Sequence, residues 1–140
     1  MKSILIIGGL MGGLLAAASC ASTPVERVNE AAAAKLAEFD RTDDVRSCIS
    51  SRTINSLTAV DESTLLVRVG VNEYYVNDLT SRCNGATGNS NRFEYTTSTS
   101  QLCRNDILRV VDNTGGFLTG SCGVGSFVKL APKAVDEAAQ

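Results

Sequence analysis

Cysteine content is the feature that most narrows what this 140-residue chain can fold into. In an exported protein, an even set of cysteines pairs as disulfides, whereas an odd one needs a separate explanation. The odd one here is Cys20, which follows a short apolar segment at the N-terminus. If Cys20 carries another modification, the other four cysteines can form two disulfides in an oxidising compartment such as the bacterial periplasm. Two disulfides would stabilise a small domain. The remaining cysteines are Cys48, Cys83, Cys103 and Cys122.

Residues 1–19 have the pattern of a signal peptide. Lys2 supplies a positive charge, about 12–15 mainly apolar residues follow, and small residues precede Cys20. A membrane-spanning helix needs about 20 apolar residues, so this segment is too short to span. The stretch Leu15–Ala21 resembles the bacterial lipoprotein signal, in which the cysteine receives a diacylglyceryl group before cleavage. Ala17 stands where that signal usually has leucine, and ordinary signal cleavage that leaves a plain thiol is the alternative.

Lipidation at Cys20 predicts a chain that is attached to a membrane without crossing it. Two or three acyl chains anchor firmly, because each buried methylene adds about 0.8 kcal/mol. In Gram-negative lipoproteins an aspartate after the modified cysteine commonly signals retention in the inner membrane, and here Ala21 and Ser22 follow it. The predicted location is therefore the outer membrane, on its periplasmic face.

Composition argues against several classes of function. The chain has no histidine, which removes Ser-His and Cys-His nucleophile pairs and histidine-containing zinc sites. Its net charge is −2 without a basic cluster, so binding to nucleic acid, which rests on neutralised phosphates, is not expected. Without a Cys-x-x-Cys pair, the cysteines are expected to form disulfides rather than a zinc site, and no metal or cofactor is predicted.

Carboxylates are the remaining candidates for acid and base chemistry. The pairs Asp43-Asp44 and Asp61-Glu62 lie at predicted turns, so they are interpreted as solvated charges. Asp106 opens a predicted strand, where a carboxylate is expected to accept backbone N–H bonds. No catalytic residue is assigned, and the chain is predicted not to be an enzyme.

The segment 20–47 is predicted to contain one helix and a short linker. Thr23 and Glu26 form a capping box with a proline at the first helical position, and apolar residues then recur at spacings of three and four. A helix of about 15 residues is expected, ending in the polar stretch 40–44. Two interpretations stay open: the apolar stripe packs on the following domain or serves as a spacer, or it docks to a partner helix or a membrane surface.

From residue 48 the pattern changes to short β runs separated by turn residues. The prediction is a mainly β domain over 48–131, with a polar, glycine-rich mobile loop at 84–91, a helical turn at 77–82 and a disordered tail at 132–140. Its fold is expected to be a small antiparallel sheet or a partly open barrel of five to six strands with two disulfides, preceded by one N-terminal helix. The predicted strands are 49–60, 64–71, 74–77, 93–98, 107–112 and 124–130.

A nested pairing of the cysteines is predicted. If the first and last strands are neighbours, Cys48–Cys122 would close the sheet and Cys83–Cys103 would hold the loop between them. Four cysteines allow three connectivities, and spacing alone does not choose among them.

Several motifs between Cys48 and Leu130 resemble an uncharacterised family of small proteobacterial lipoproteins with four ordered cysteines. The family has no assigned activity. The resemblance therefore implies an envelope location and a four-cysteine β domain, and it transfers no catalytic residue. The motifs are Gly70-Val71-Asn72-Glu73-Tyr74-Tyr75-Val76, Leu102-Cys103-Arg104-Asn105-Asp106-Ile107 and Ser121-Cys122-Gly123-Val124-Gly125-Ser126-Phe127.

Two functional hypotheses follow. The first is a membrane-tethered binding or structural module of the bacterial envelope, with a protein of the envelope as its partner. The second is a periplasmic inhibitor or small-ligand binder, such as the lipoprotein inhibitors of lysozyme, although the Ser-Gly-x-x-Tyr type loop of those proteins is missing here. The aromatic residues that could form a contact surface, at least half of them expected in the core, are Tyr74, Tyr75, Phe93 and Tyr95.

Overall fold

The computed structural model describes residues 26–134, which form one short helix and ten strands in three antiparallel sheets. The predicted mainly β class is confirmed, but residues 26–134 contain ten strands rather than five to six, and the sheets of this part of the chain do not close into a barrel. The elements are α1 Glu30–Leu36, β1 Phe39–Arg46, β2 Cys48–Ser50, β3 Ile54–Ala59, β4 Thr64–Val69, β5 Glu73–Asp78, β6 Asn91–Glu94, β7 Gln101–Cys103, β8 Ile107–Asp112, β9 Leu118–Gly123 and β10 Phe127–Pro132.

The largest sheet has the strand order β1-β10-β5-β4-β3 and is covered on both faces. Its inner strand β4 therefore has three consecutive buried apolar residues, Leu65, Leu66 and Val67, instead of an alternating pattern. Successive side chains point to opposite faces of a sheet. Leu65 and Val67 accordingly join the main core, and Leu66 joins a second core on the opposite face.

The main core lies between the large sheet and two smaller sheets, whose strand orders are β2-β7 and β6-β8-β9. Tyr75 and Phe127 come from the large sheet, and each is 1 % exposed. From the smaller sheets, Leu102, Leu108 and Val110 complete the core. Strands from all three sheets thus share one apolar interior.

Helix α1 covers the other face of the large sheet, where Ala32 packs with Leu66, Val76 and Leu130. Of the two interpretations of the apolar stripe, packing on the domain is confirmed. The helix has 7 residues rather than about 15, because residues 26–29 are not helical and Asn29 is the N-cap, its Oδ1 accepting from Ala32 N at 3.2 Å. The predicted cap residue Thr23 lies outside the described residues.

The stretch 40–44, predicted to be a polar linker, belongs to β1, so that prediction is wrong. β1 pairs antiparallel with β10, from Phe39 opposite Pro132 to Arg46 opposite Phe127. The backbone of the stretch completes the sheet while its charged side chains stay exposed. An edge strand needs no apolar alternation on its solvent side, and charge there discourages further pairing.

The predicted pairs Cys48–Cys122 and Cys83–Cys103 are wrong, because the disulfides are Cys48–Cys103 and Cys83–Cys122. Cys48 and Cys103 stand directly opposite each other in the β2-β7 ladder, with Cα atoms 4.0 Å apart. Cys83 follows β5, and the bond from Thr80 N to Gly123 O brings this segment beside Cys122 in β9. The first and last strands are indeed neighbours, but they are β1 and β10, which contain no cysteine.

Other boundaries differ in smaller ways. The predicted strand 49–60 is two strands, because Thr53 N and Oγ1 both donate to Ser50 O and close a turn between β2 and β3. The predicted helical turn at 77–82 does not form, since β5 extends to Asp78. β10 includes Pro132, and Lys133 N donates to Glu38 O, so these two residues are ordered and not part of a disordered tail as predicted. Residues 135–140 of the predicted tail lie outside the described residues.

Tyr75 makes the stability of this fold sensitive to alkaline pH. Burial, assisted by its hydroxyl's 2.6 Å bond to the Glu73 carboxylate, raises the pKa of Tyr75 to about 12. The folded chain therefore favours the neutral phenol. We expect this preference for the neutral phenol to contribute fully to the free energy of unfolding below pH about 10. The contribution should be lost as the pH rises to about 12. Urea unfolding between those values would measure the decline.

The matched control for this pH dependence is Tyr75→Phe, which keeps the ring and removes the ionising group. Both proteins carry Cys20→Ser, so that no free thiol among the five cysteines exchanges with the disulfides at high pH. Stability of the Tyr75→Phe chain should decline less steeply. Equal slopes in the two proteins would show that another group causes the loss.

Candidate functional site

Asp43 and Asp44 are exposed, and Asp44 accepts from Arg46, while the other carboxylates considered from the sequence have structural roles. Asp106 Oδ2 accepts the N–H of Cys103 at 2.7 Å, as expected for a carboxylate at the start of a strand. Asp61 Oδ1 accepts from Ser63 N in the turn between β3 and β4. Glu62 binds Arg82 Nε at 2.5 Å, and this contact holds the pKa of the Glu62 carboxyl below its usual range.

The four aromatic candidates separate into two pairs. Tyr75 belongs to the main core, and Tyr74 packs against Phe39 with ring centroids 5.0 Å apart. Phe93 and Tyr95 are half-buried and line an open groove. Only Tyr75 is a fully buried core residue, whereas Tyr74, Phe93 and Tyr95 are half-buried against the cores, so fewer than half of the four are core residues. Phe93 and Tyr95 indicate a candidate site.

The groove lies between β3, the edge strand of the large sheet, and β6, the edge strand of a smaller one. Its volume is about 570 Å³, within the range of small-molecule and peptide sites. The loop after Gly85 closes one side, and Asn29, the N-cap of α1, lies at its margin. Besides Asn29, the lining residues are Ile54, Asn55, Ser56, Leu57, Thr58, Ala59, Ala86, Thr87, Gly88, Asn89, Asn91, Arg92, Phe93 and Tyr95.

The β3 wall of the groove presents unpaired main-chain groups. Val60 N donates to Thr64 O at 2.8 Å, so the antiparallel ladder joins Thr58 and Ser56 to β4. The intervening residues of such a ladder point their N–H and C=O groups the other way. Within residues 26–134, the main-chain groups of Leu57 and Ala59 therefore face the groove without a hydrogen-bond partner.

The opposite wall has a similar open edge. Asn113 N donates to Ser90 O at 2.8 Å, which sets the alternation of the β6-β8 ladder. By the same rule Phe93 turns its N–H and C=O away from β8. Two strand edges thus border one groove.

The lining is polar and nearly uncharged. Of the described residues that line it, Arg92 alone is charged, and its guanidinium donates to Asn113 Oδ1 at 2.7 Å and to Glu94 Oε1 at 2.5 Å. In residues 26–134, the Thr87 hydroxyl is the single buried side-chain oxygen or nitrogen without a hydrogen-bond partner, and Thr87 lines this groove. The site therefore offers hydrogen bonds and half-buried rings rather than charge.

A second cavity of about 670 Å³ adjoins the first, and Phe93 and Tyr95 lie between the two. Asn105, Asp106 and Arg109 border it on the side of β8. The carboxylate of Asp106 is occupied by the backbone of Cys103, so this cavity contains no free acid from that position.

The described residues contain neither a cluster of metal-ligating side chains nor a membrane-spanning helix. Among residues 26–134, no three histidine, cysteine, aspartate or glutamate side chains come together as metal ligands would. No helix within these residues has the length and apolar character needed to cross a bilayer. Cys20, the predicted lipidation site, lies outside the described range.

Sequence reasoning identified the ring pair Phe93 and Tyr95 but not the groove beside it. A local signal existed in β3, whose six residues carry no charge, in contrast to the charged stretch of β1. The approach of β3 and β6 is a property of the tertiary structure, because the 31 residues 60–90, which include β4 and β5, separate the end of β3 at Ala59 from the start of β6 at Asn91.

Comparison with known proteins relates the whole chain to one family. A family model described as a family of unknown function, DUF6491, matches residues 1–140. The match includes α1 and β1 and so extends beyond the stretch from Cys48 to Leu130 in which the sequence motifs were found. No curated protein and no solved structure matches the chain. The chain therefore belongs to the family of unknown function DUF6491.

Proposed function

We propose that this protein is a lipoprotein of the bacterial envelope, held by Cys20 on the periplasmic face of the outer membrane, and that its folded part is a binding module. The cysteine count supports the anchor. All four other cysteines are joined in two disulfides, so Cys20 is left without a partner inside the chain. Lipidation gives that odd cysteine a role in an oxidising compartment.

The observation that carries the binding role is the groove between β3 and β6. It combines unpaired strand edges with the half-buried rings of Phe93 and Tyr95. Two disulfides brace the domain that contains it, because Cys83–Cys122 joins the segment after β5 to β9 and Cys48–Cys103 joins β2 to β7. A preorganised site loses less entropy on binding than a flexible one.

The distance from the proposed anchor at Cys20 to the folded module is short. Asn29 N is bonded to Val60 O at 2.8 Å, so the chain is tied to the sheet at Asn29, nine positions after Cys20. An extended chain spans at most about 3.5 Å per residue, which limits the separation to about 30 Å. Because α1 packs on the sheet, we propose that the module lies close to the membrane and is not held away from it by a helical stalk.

Replacing Cys20 by serine tests the anchor. We expect Cys20→Ser to abolish incorporation of a radiolabelled or alkyne-tagged fatty acid and to release the protein from the outer-membrane fraction, because the oxygen cannot form the thioether. Ser22→Ala is the matched control and should keep both the label and the location. Unchanged labelling of Cys20→Ser would contradict the lipid anchor, and cofractionation of the natural chain with inner-membrane markers would contradict the assigned membrane.

A further inference from the structure

We infer that the groove between β3 and β6 binds an extended, uncharged segment of another polypeptide, which adds as a strand to the edge of β3. This inference rests on the proposed binding role and names the form of the partner. Exposed strand edges are templates for pairing, and strand addition is a recurring mode of peptide recognition. The donors and acceptors of Leu57 and Ala59 are the groups that such a segment would satisfy.

The two edges of the large sheet differ in a way that favours this assignment. Both edge strands have a register shift with their neighbour, between Arg41 and Val45 in β1 and between Ile54 and Ser56 in β3, but charged residues occupy most positions only in β1. Charge on an edge strand is a usual protection against unwanted strand addition. β3, running from Ile54 to Ala59, has no charged residue and no proline. The charged residues of β1 are Asp40, Arg41, Asp43, Asp44 and Arg46.

The shape of the groove favours a single strand over a second copy of this chain. β6 and the loop 86–89 form the wall opposite β3, so β3 lies at the side of a recess rather than at an open margin. A second copy pairing through its own β3 would bring this opposing wall with it. A segment without tertiary structure meets no such obstacle, and strands lie about 4.8 Å apart when paired.

The lining indicates the composition of the segment. Among the described residues no carboxylate lines the groove, and the guanidinium of Arg92 is already bound to Asn113 and Glu94, so none of these groups requires a charged partner. Leu57, Phe93 and Tyr95 offer apolar surface. Since alternate side chains of a strand share one face, we expect the bound segment to have apolar residues at every second position. We also expect one of its main-chain or hydroxyl groups to bind the Thr87 hydroxyl.

The test begins with the full chain in detergent micelles and a phage-displayed library of random peptides about ten residues long, which is sufficient for a strand. A selected peptide is synthesised, and amide hydrogen exchange of the protein is compared with and without it. We expect exchange at Leu57 and Ala59 to slow by about tenfold or more, and exchange at Ser56 and Thr58, already paired with β4, to change little.

Two further measurements separate strand addition from other binding. Methylating the peptide's backbone nitrogens one at a time should abolish binding at alternate positions, because only every second N–H faces β3. Ser56→Lys places a charge on the edge strand and should weaken binding by about tenfold, whereas the control Ser121→Lys should change it by less than about twofold. The two serines are matched, since each is exposed and lies opposite an arginine in its ladder, Arg68 or Arg109.

Several results would overturn the inference. These are the failure of any peptide to be enriched, protection outside β3 and β6, binding that is indifferent to backbone methylation, and protection of Leu57 that appears through dimerisation of the chain alone. None of them bears on acylation of Cys20. Loss of the anchor in the labelling experiment would in turn leave the exchange result standing, so the two proposals fail separately.

Discussion

Replacing Cys83 and Cys122 together by alanine is expected to lower the free energy of unfolding by about 4 kcal/mol. The bond closes a loop with a sequence separation of 39 residues, and in the chain-entropy model a loop of about that length is worth roughly 4 kcal/mol. Both cysteines are buried, at 0 % and 2 % exposed, and belong to the main core. Their removal therefore also costs apolar contacts within the main core, between the segment after β5 and β9.

The pair Cys48→Ala and Cys103→Ala is the control. Its loop is longer, with a separation of 55 residues, so the entropic contribution is again about 4 kcal/mol. Both of its cysteines are half-buried, however, so fewer core contacts are lost. We expect urea unfolding, with both variants carrying Cys20→Ser, to give the lower free energy of unfolding for the variant that lacks Cys83 and Cys122.

Graded reduction gives an independent measurement of the same difference. Thiolate attack requires access to a sulfur atom, so Cys48–Cys103 should open at a lower concentration of reductant than Cys83–Cys122. Mass spectrometry of alkylated peptides would report the order. Peptides joining Cys48 to Cys122 in the oxidised chain, or a loss of stability below about 1 kcal/mol, would contradict this account.

The strands that sequence reasoning located best are those with local apolar signals. The run of β4 around Leu66 and the tyrosine pair of β5 are visible without any tertiary information. β1 carries mainly charged residues, and β9, from Leu118 to Gly123, lacks apolar alternation. Both owe their strand conformation to backbone pairing with β10 and β8, which no local pattern in their own residues indicates.

The cysteine pairing and the groove were beyond local reasoning for a related physical reason. Cys48 meets Cys103 because β2 pairs with β7, two three-residue strands whose register depends on the sheets that flank them. The groove requires β3 and β6 to approach without pairing. Residue types could still indicate part of it, since Phe93 and Tyr95 were expected as contact residues and both line it.

Gly125→Ala is expected to destabilise the fold by about 3 kcal/mol or more, which exceeds the effect of most single substitutions. A Cβ at this position would collide with the main-chain carbonyl oxygen of Asp78. That oxygen belongs to the end of β5 and cannot rotate away as a flexible side chain could. The clash must therefore move backbone.

Movement there would also break a buried pair of hydrogen bonds. The amide of Asn77, which is 0 % exposed, donates from Nδ2 to Gly125 O at 2.9 Å and accepts from Gly125 N at 2.8 Å. A buried amide deprived of its partners costs about 1–3 kcal/mol for each unsatisfied group. The sequence motif Cys122-Gly123-Val124-Gly125 thus has a structural explanation, because it lets this turn approach the chain leading to Cys83.

Gly70→Ala is the control for the glycine prediction. Gly70 has φ +57°, so alanine is strained there, but apart from its chain neighbours no atom of residues 26–134 lies within 4 Å of the added Cβ. Its cost should be about 1 kcal/mol, from backbone conformation alone. If urea unfolding gives Gly125→Ala a loss no larger than that of Gly70→Ala, the close approach of the two segments is not what holds β9 and the buried disulfide against the large sheet.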